Sequence, residues 1–357
     1  MEDKGVTLQL MYSADFIGTV HTPRSVNGGN GWERTRGNLL IDFGKFTPLK
    51  GLSFFATGPW QGGVNVGGQT LGSIANPSSL ASKQTARLDA FWFEQALFDN
   101  RLFLKLGQWG AQDNYGGQQN LEEHLLEPLG FAFGNEFSTV FSPFDPAGVP
   151  AAEVRVWPTH NFNFRTAIFS GNRNPFDDAT GVHFDIFNTP VEASEVGFVV
   201  DSPELSQGAY APLPGRIKPA PKDEKNYPGL YKFGSLYNHG EFKDLRNQEV
   251  GVGNYLVYGM ADQAVYRAEA GSKRGLDVHF GFDWSPDDVN QVNSEITGGF
   301  GYNGLIPNRG DDAAALGFVY NRVSDEFRRV QALQGVNIGK GETAFDFRAI
   351  ARRRLPG

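Results

Sequence analysis

Arginine, carboxylate and indole side chains recur together on the polar faces of short segments with alternating hydrophobicity. The residues that combine these types are Arg34, Arg36, Asp42, Trp92, Glu94, Arg101, Lys105, Trp109, Glu153, Arg155, Trp157 and Arg165. Guanidinium, ammonium and carboxylate groups make charge-assisted hydrogen bonds, and an indole ring offers a broad apolar face beside a single N–H donor. A set of this kind indicates non-covalent contact with a polar solute.

Motifs that would indicate covalent chemistry are absent or incomplete. The six histidines occur without HExxH or HxH spacing, and no GxSxG stretch supplies a serine nucleophile. The glycine-rich stretches 28–31 and 116–119 lack a P-loop lysine. The chain has no cysteine, which removes disulfides, cysteine zinc sites and cysteine nucleophiles. We therefore expect a protein that is not an enzyme and that has no cofactor and no metal site.

The elements that must position these side chains are strands, because apolar and polar residues alternate with a period of two. In LDVHFGFDW, residues 276–284, the even-numbered positions are apolar or aromatic and the odd-numbered ones are polar or glycine. The same alternation runs through 6–20 and 101–109. We count about 14 candidate strands of roughly ten residues each, separated by turns that contain glycine or proline.

Hydropathy and charge narrow the class of protein. The mean hydropathy is −0.36, and there is no run of about 18 apolar residues that would predict a spanning helix. A porin-type barrel is compatible with these values, because only every second strand residue faces lipid. The net charge of −8 argues against a nucleic-acid partner. A soluble β-sandwich is the alternative, but aromatic residues such as Tyr12, Trp284, Tyr302 and Tyr320 at the ends of apolar faces favour the barrel.

Three long segments interrupt the alternation. Residues 59–86 are rich in Gly, Gln, Asn and Ser, residues 110–150 contain the helical candidate LEEHLLEPLG, and residues 202–228 are rich in proline. Barrels alternate short turns with long loops, one of which can fold into the lumen. No segment has the composition of a linker between domains, so we expect a single domain over residues 1–357.

A set of longer stretches in a fixed order is more specific than the alternation. They include YSADFIGTV (12–20), GNLLIDFGKF (37–46), ARLDAFWFEQALFDNRLFLKLGQW (86–109), PAAEVRVWPTHNFNFRTAIFSGN (150–172) and GLDVHFGFDWSPDDVN (275–290). In content and order they resemble the OprB family of carbohydrate-selective porins. The resemblance covers most of residues 5–350.

That resemblance implies an all-β fold, a transmembrane antiparallel β-barrel of porin type. We expect about 14–16 strands, against about 16 in the family, and a lumen narrowed by an inward loop. It also implies a monomer in the lipid of the bacterial outer membrane that gives monosaccharides such as glucose a passive, facilitated route. The alternative functions are a soluble β-sandwich carbohydrate-binding module and a truncated porin that does not conduct.

Arginines and carboxylates on the polar faces are expected to line this passage, where binding must be weak so that solute can leave. We place at its narrowest part Arg34, Arg36, Arg101 and Arg155. Glu94 and Glu153 are expected to pair with some of them. For each arginine the alternative is a wall position paired to an inward loop, without contact to solute. On the strand within 87–98 we expect Trp92 and Glu94 to face the lumen, and Phe91 and Phe93 to face lipid.

Two features depart from the family pattern. The chain ends ETAFDFRAIARRRLPG, where family members continue through a last hairpin, so we expect the last two strands to be missing. Ala90 stands where family members commonly carry an acidic residue. In addition, the start Met1–Lys4 has no signal-peptide features, and we expect a mature or shortened form.

Overall fold

Strands make up most of the part of the chain that the structure describes. A computed structural model describes residues 4–19, 28–64, 73–74, 80, 83–111, 114–116, 147–171, 180–183, 189–200, 227–306, 309 and 312–351. In these residues fifteen strands form one antiparallel sheet. They are β1 (Val6–Thr19), β2 (Gly28–Asp42), β3 (Leu52–Gly63), β4 (Thr85–Ala86), β5 (Ala90–Leu97), β6 (Leu102–Trp109), β7 (Val149–Val156), β8 (Phe162–Ser170), β9 (Pro190–Val200), β10 (Gly229–Lys243), β11 (Val250–Arg267), β12 (Gly275–Trp284), β13 (Val292–Asn303), β14 (Ala313–Val323) and β15 (Gly341–Ile350).

Each long strand pairs with its neighbours in sequence. The short strand β4 lies off this path and pairs with β3, which also pairs with β5, so fourteen strands form the main path in the described part of the chain. This confirms the expected all-β class and the strand number. β1 pairs with β2 in the register Val6↔Ile41, and β15 pairs with β14 in the register Gly341↔Arg322. β1 and β15 are the two ends of the strand order, so the sheet is not closed within the described residues.

The two faces of the sheet have opposite chemistry. On β12, Asp277, His279 and Asp283 are buried, whereas Phe280 and Phe282 are 49% and 39% exposed. We call the face with exposed apolar side chains the outer face and the other the inner face. Leaving a large apolar side chain in water forgoes about 1.5–3 kcal/mol, so an outer face built of such side chains is unstable in water and stable in lipid. This arrangement contradicts the soluble β-sandwich, which packs its apolar faces against a second sheet.

Aromatic residues border the apolar outer face at two levels. Tyr255 and Trp284 are in contact at one level, with ring centroids 5.7 Å apart, and Tyr266 and Tyr302 lie 6.4 Å apart at the other. Tyr255 and Tyr266 are separated by eleven positions on β11. At about 3.3 Å per residue and a strand tilt of about 40°, the levels are roughly 28 Å apart. That spacing fits the apolar band of a transmembrane barrel, with Phe280 midway between the levels on β12.

A tight turn joins β5 to β6. Phe98, Asp99 and Asn100 have φ values of 51°, 54° and 64°, so three consecutive residues adopt the left-handed conformation. Asn and Asp tolerate this conformation better than other residues that carry a Cβ atom. The N–H of Arg101 donates to the carbonyl of Leu97 at 3.1 Å and closes the turn.

One α-helix, α1 (Asp325–Leu333), lies between β14 and β15 in the described residues. Ser324 caps its N-terminus by accepting a hydrogen bond from the N–H of Phe327 at 3.0 Å. Arg246 donates to Glu326 at 2.9 Å, and this contact holds the pKa of the Glu326 carboxyl below its ordinary value. Among the described residues no helix is long and apolar enough to cross a membrane.

The prediction of a loop over 59–86 is wrong for its first residues, because β3 continues to Gly63. The glycines and proline there suggested a loop, yet Pro59 pairs opposite Arg36 on β2 as part of the ladder. The helical candidate LEEHLLEPLG at 121–130 and most of the loop expected over 202–228 lie outside the described residues.

Candidate functional site

A row of alternating charges crosses the inner face of β5, β6 and β7. Strand alternation turns every second side chain inward, and the register places Glu94 opposite Lys105 and Lys105 opposite Glu153. Opposite charges directly across from each other stabilise a pair of strands. All three side chains are buried. Trp92 shares this face with Glu94, whereas Phe93 is exposed on the outer face, so the expected orientation of β5 is confirmed.

Arg155 is the centre of the ion pairs in this part of the wall. Its Nη2 lies 3.1 Å from Glu94 Oε2, and its Nη1 lies 3.7 Å from Glu153 Oε1. The guanidinium also lies over the ring of Phe103, 4.4 Å from the centroid. The expectation that Glu94 and Glu153 pair with one of the arginines is therefore met at Arg155. Removing one partner of a buried ion pair leaves an uncompensated charge and costs about 3–5 kcal/mol.

Among the described residues, three buried atoms of this cluster have no hydrogen-bond partner. They are Arg155 Nε, Glu94 Oε1 and Glu153 Oε2, one donor and two acceptors. Buried polar atoms are normally satisfied by protein groups, water or ligand. The cluster can therefore accept one hydrogen bond at each carboxylate and donate one from the guanidinium.

Lys105 occupies the space between the two tryptophans. Its Nζ lies 4.7 Å from the ring centroid of Trp92 and 4.1 Å from that of Trp109. Trp109 in turn packs edge-on against Phe169, with centroids 5.7 Å apart. A cation over an aromatic face is stabilised by about 0.5–2 kcal/mol. Lys105 thus covers faces of Trp92 and Trp109 that the sequence analysis had suggested as contact surfaces for a solute.

The arginines of β2 lie on the same inner face. Arg36 Nη1 pairs with Asp89 Oδ2 at 2.9 Å, and Arg34 Nη2 donates to the carbonyl of Leu80 at 3.0 Å. Ala90, which departs from the family pattern, is buried, and the adjacent Asp89 provides a carboxylate on the wall. Arg34 therefore contacts a segment between β3 and β4. This agrees with the alternative hypothesis for the arginines, a wall position paired to a loop.

A second row of charged residues continues across β7, β8 and β9. The register places Arg155 opposite Arg165 and Arg165 opposite Glu195. Arg165 Nε lies 3.5 Å from Glu195 Oε1, and Lys232 Nζ lies 3.8 Å from the same oxygen. Tyr258 Oη donates to Glu195 Oε2 at 2.7 Å. These contacts make Glu195 the main acceptor of this row.

The structure gathers most of the predicted site residues and separates three. Asp42 is partly exposed at the end of β2, where it accepts from the N–H of Gly44 at 3.0 Å. Arg101 is exposed in the turn between β5 and β6, away from the narrow position expected for it. Trp157 is buried in a small apolar cluster with Leu230. The turn, which breaks the period of two, is the reason that residue parity misplaced Arg101.

Several important residues were not identified from sequence as site residues. Asp89, Glu195, Lys232 and Tyr258 all contact predicted residues or each other. The alternation of side chains along β9 was a sequence signal that turns Glu195 toward the inner face. The partners of Glu195, however, depend on the register between strands. Among the described residues no three His, Asp or Glu side chains are grouped so that they could hold a metal ion.

Comparison with known proteins agrees with this geometry. A family model described as carbohydrate-selective porin, OprB family, matches residues 32–347. The high-pH structure of Pseudomonas putida OprB has a TM-score of 0.81 at 17% identity, covering 97% of this chain and 85% of that chain. The low-pH structure of that protein has a TM-score of 0.55 at 14% identity, covering 90% and 79%. None of the curated proteins compared with this chain matches it.

The family model spans most of the chain, while the structural likeness independently supports the porin barrel fold. Porins are transport channels of the outer membrane and not enzymes, in agreement with a lipid-compatible outer face and a polar inner face. The chain belongs to the OprB family of carbohydrate-selective porins.

Proposed function

We propose that this porin gives monosaccharides of glucose-like structure a passive, facilitated route across the outer membrane. The observation that supports this proposal is the buried cluster of Arg155, Glu94 and Glu153 on the inner face. Together with Lys105, which lies opposite both carboxylates in the register, its charges compensate each other, which favours a neutral solute over an ion. The one donor atom and two acceptor atoms that make no hydrogen bond with the described residues match the hydroxyl groups of a sugar, each of which both donates and accepts.

The remaining predicted residues take different parts in this proposal. Arg34 and Arg36 extend the polar lining on β2, and Arg165 extends it on β8. Lys105 holds Trp92 and Trp109 in place, and these three form a rigid wall beside the cluster. Asp42 and Arg101 lie at the turns that follow β2 and β5, where they would contact solute only at entry or exit. Trp157 follows β7 and is buried, so it would support the wall. We further propose a monomer surrounded by outer-membrane lipid.

The experiment is permeation through the purified, refolded protein. In planar bilayers we expect channels with ohmic conductance that glucose at millimolar concentration reduces. Glu94→Gln and Glu153→Gln keep the size of each side chain and remove the charge, and we expect each to weaken the block several-fold. Arg322→Gln, in an ion-pair group near α1, is the matched control, and glucose should block this variant as strongly as it blocks the parent protein. Equal block in all four proteins would contradict the assignment of the cluster.

A second candidate is a chain that inserts without conducting. The observation in its favour is the strand order of the described residues, which begins at β1 and ends at β15 without a pairing between them. Unpaired backbone groups in lipid cost several kcal/mol each. A folded, heat-modifiable protein that shows no conductance steps and no liposome swelling would establish this candidate and exclude the transport proposal.

A further inference from the structure

A short turn of the chain lies against the inner face of the sheet. We call this segment the inner turn, Asn114–Gly116, and it follows β6 closely. The N–H groups of Asn114 and Tyr115 donate to the carbonyl of Ala111 at 3.0 and 2.8 Å, so two backbone hydrogen bonds tie the start of the segment to Ala111. Tyr115 is buried and meets Phe169 edge-on, with centroids 6.1 Å apart. The inner turn therefore occupies space inside the sheet that solute would otherwise use.

The backbone of the inner turn is held by two charged residues of the wall. Arg165 Nη1 donates to the carbonyl of Asn114 at 2.8 Å. The N–H of Gly116 donates to Glu195 Oε2 at 3.3 Å. Arg165 and Glu195 also pair with each other, and neither side chain is accessible to solvent. The ion pair thus contacts both ends of the inner turn through its backbone.

Tyr258 orients the Glu195 carboxylate from a strand that is not adjacent to it. Glu195 is on β9 and Tyr258 is on β11, with Gly234 of β10 opposite both in the register. A Cβ atom on Gly234 would lie 2.3 Å from Tyr258 Oη and 2.4 Å from Cζ. Because Gly234 has no side chain, the tyrosine ring has room to cross β10 and reach Glu195 Oε2.

A second group fixes the start of the inner turn. With the Asn114 amide oriented so that its oxygen faces the wall, it accepts from Lys105 Nζ at 2.8 Å and from Trp109 Nε1 at 3.3 Å. The cation between the two indoles is therefore joined to the same residue whose carbonyl Arg165 holds. Contacts from β6, β8 and β9 converge on the three residues of the inner turn, and Tyr258 of β11 supports them through Glu195.

We infer that Glu195, with Arg165 and Tyr258, is a positioning cluster that holds the inner turn inside the sheet and thereby sets the free cross-section for solute. The inference rests on the proposed transport function for its consequence, but the contacts themselves do not depend on it. The cluster acts through the inner turn and requires no contact with sugar. Release of the inner turn would free the space that its backbone and the buried Tyr115 ring occupy, so the conductance should rise.

The test uses two variants that remove different parts of the cluster. Glu195→Gln removes the charge that Arg165 and Lys232 face, and Gly234→Ala displaces the Tyr258 ring without changing any charge. The control is Asp277→Asn. It removes the charge of a buried carboxylate that lies 2.6 Å from Arg267, and this pair is far from the inner turn both in sequence and in strand order. In planar bilayers we expect about twofold higher conductance and weaker glucose block for the two test variants, and parent behaviour for the control.

A chemical readout makes the result independent of conduction. The chain has no cysteine, so Ala111→Cys introduces a single thiol at a position that is fully buried. We expect a membrane-impermeant thiol reagent to modify it slowly, and about tenfold faster when Glu195→Gln or Gly234→Ala is added, since the exposed fraction rises with release of the turn.

The outcomes separate this inference from the proposed function. Equal labelling rates in parent, Glu195→Gln and Gly234→Ala proteins would overturn the inference, as would equally fast labelling in Asp277→Asn. Absence of conductance in every protein, with labelling that still depends on Glu195, would refute transport and leave the positioning cluster intact. If Glu195→Gln does not fold, Gly234→Ala alone decides by the same two measurements.

Discussion

Replacement of Phe280 by arginine tests the assignment of the outer face to lipid. Phe280 is 49% exposed and lies on β12 four positions from Trp284 and four from Leu276, which pairs with Tyr302. It is therefore near the middle of the apolar band. An arginine at the bilayer midplane of a barrel costs about 2–4 kcal/mol, falling to about 0–1 kcal/mol near the interfaces. A cost of about 3 kcal/mol lowers the folding equilibrium about 100-fold.

The assay is reversible unfolding in urea of protein refolded into lipid vesicles, followed by tryptophan fluorescence and by mobility of the unheated protein in gels. Phe280→Arg should be less stable than parent protein by about 2–4 kcal/mol. Tyr302→Arg, at the interface level, should lose markedly less, and Phe280→Leu controls for the lost ring. If the outer face were in water, surface substitutions would change stability by only about 0.5 kcal/mol. Equal stability of Phe280→Arg and Phe280→Leu would refute the assignment.

Three further predictions concern charges and caps. Arg155→Leu should destabilise the protein by about 3–5 kcal/mol, because two buried carboxylates lose this cation. Adding Glu94→Leu should restore part of the lost stability in the same urea assay, and a larger loss in the double variant would contradict the pairing. The pKa of Glu326 is lowered by Arg246, so its stabilising contribution is present above the unfolded-state pKa and is lost as pH falls through the folded-state pKa. Arg246→Ala should return that pKa toward its ordinary value in a carboxyl NMR titration, and an unchanged titration would exclude the contact. Ser324→Ala removes the cap of α1 and should destabilise the helix by about 1 kcal/mol, seen as faster amide exchange confined to 325–333; unchanged exchange would show that the cap is unimportant.

Residue parity was enough to assign most of the inner face. The orientation of β5, with Trp92 and Glu94 inward, followed from the preference of phenylalanine for lipid, and the period of two on β12 correctly separated its faces. Parity gives no information in turns, where Arg101 lies after three left-handed residues. It also does not distinguish a glycine-containing strand from a loop, as the extension of β3 to Gly63 shows.

Cross-strand partners could not be predicted because they depend on register. The pairing of Arg155 with Glu94 links strands separated by β6, and the contact between Tyr258 and Glu195 needs an intervening glycine on β10. A shift of one residue in any of these ladders would turn the side chains to the opposite face. Such contacts were found only once the strands were aligned in three dimensions.

The sequential pairing of the strands has a consequence for how the protein assembles. Along the main path of the described residues each strand pairs with the next strand on that path, so the sheet can grow by adding one strand at a time to the one before it. One hydrogen bond joins much more distant parts of the chain: the N–H of Ile74 donates to Glu342 on β15 at 2.9 Å, across a sequence separation of 268 residues. That bond can form only after both regions of the chain have been made and brought together. Its formation would therefore report on the last stage of folding, whereas protection of the β1–β2 ladder would report on an early one.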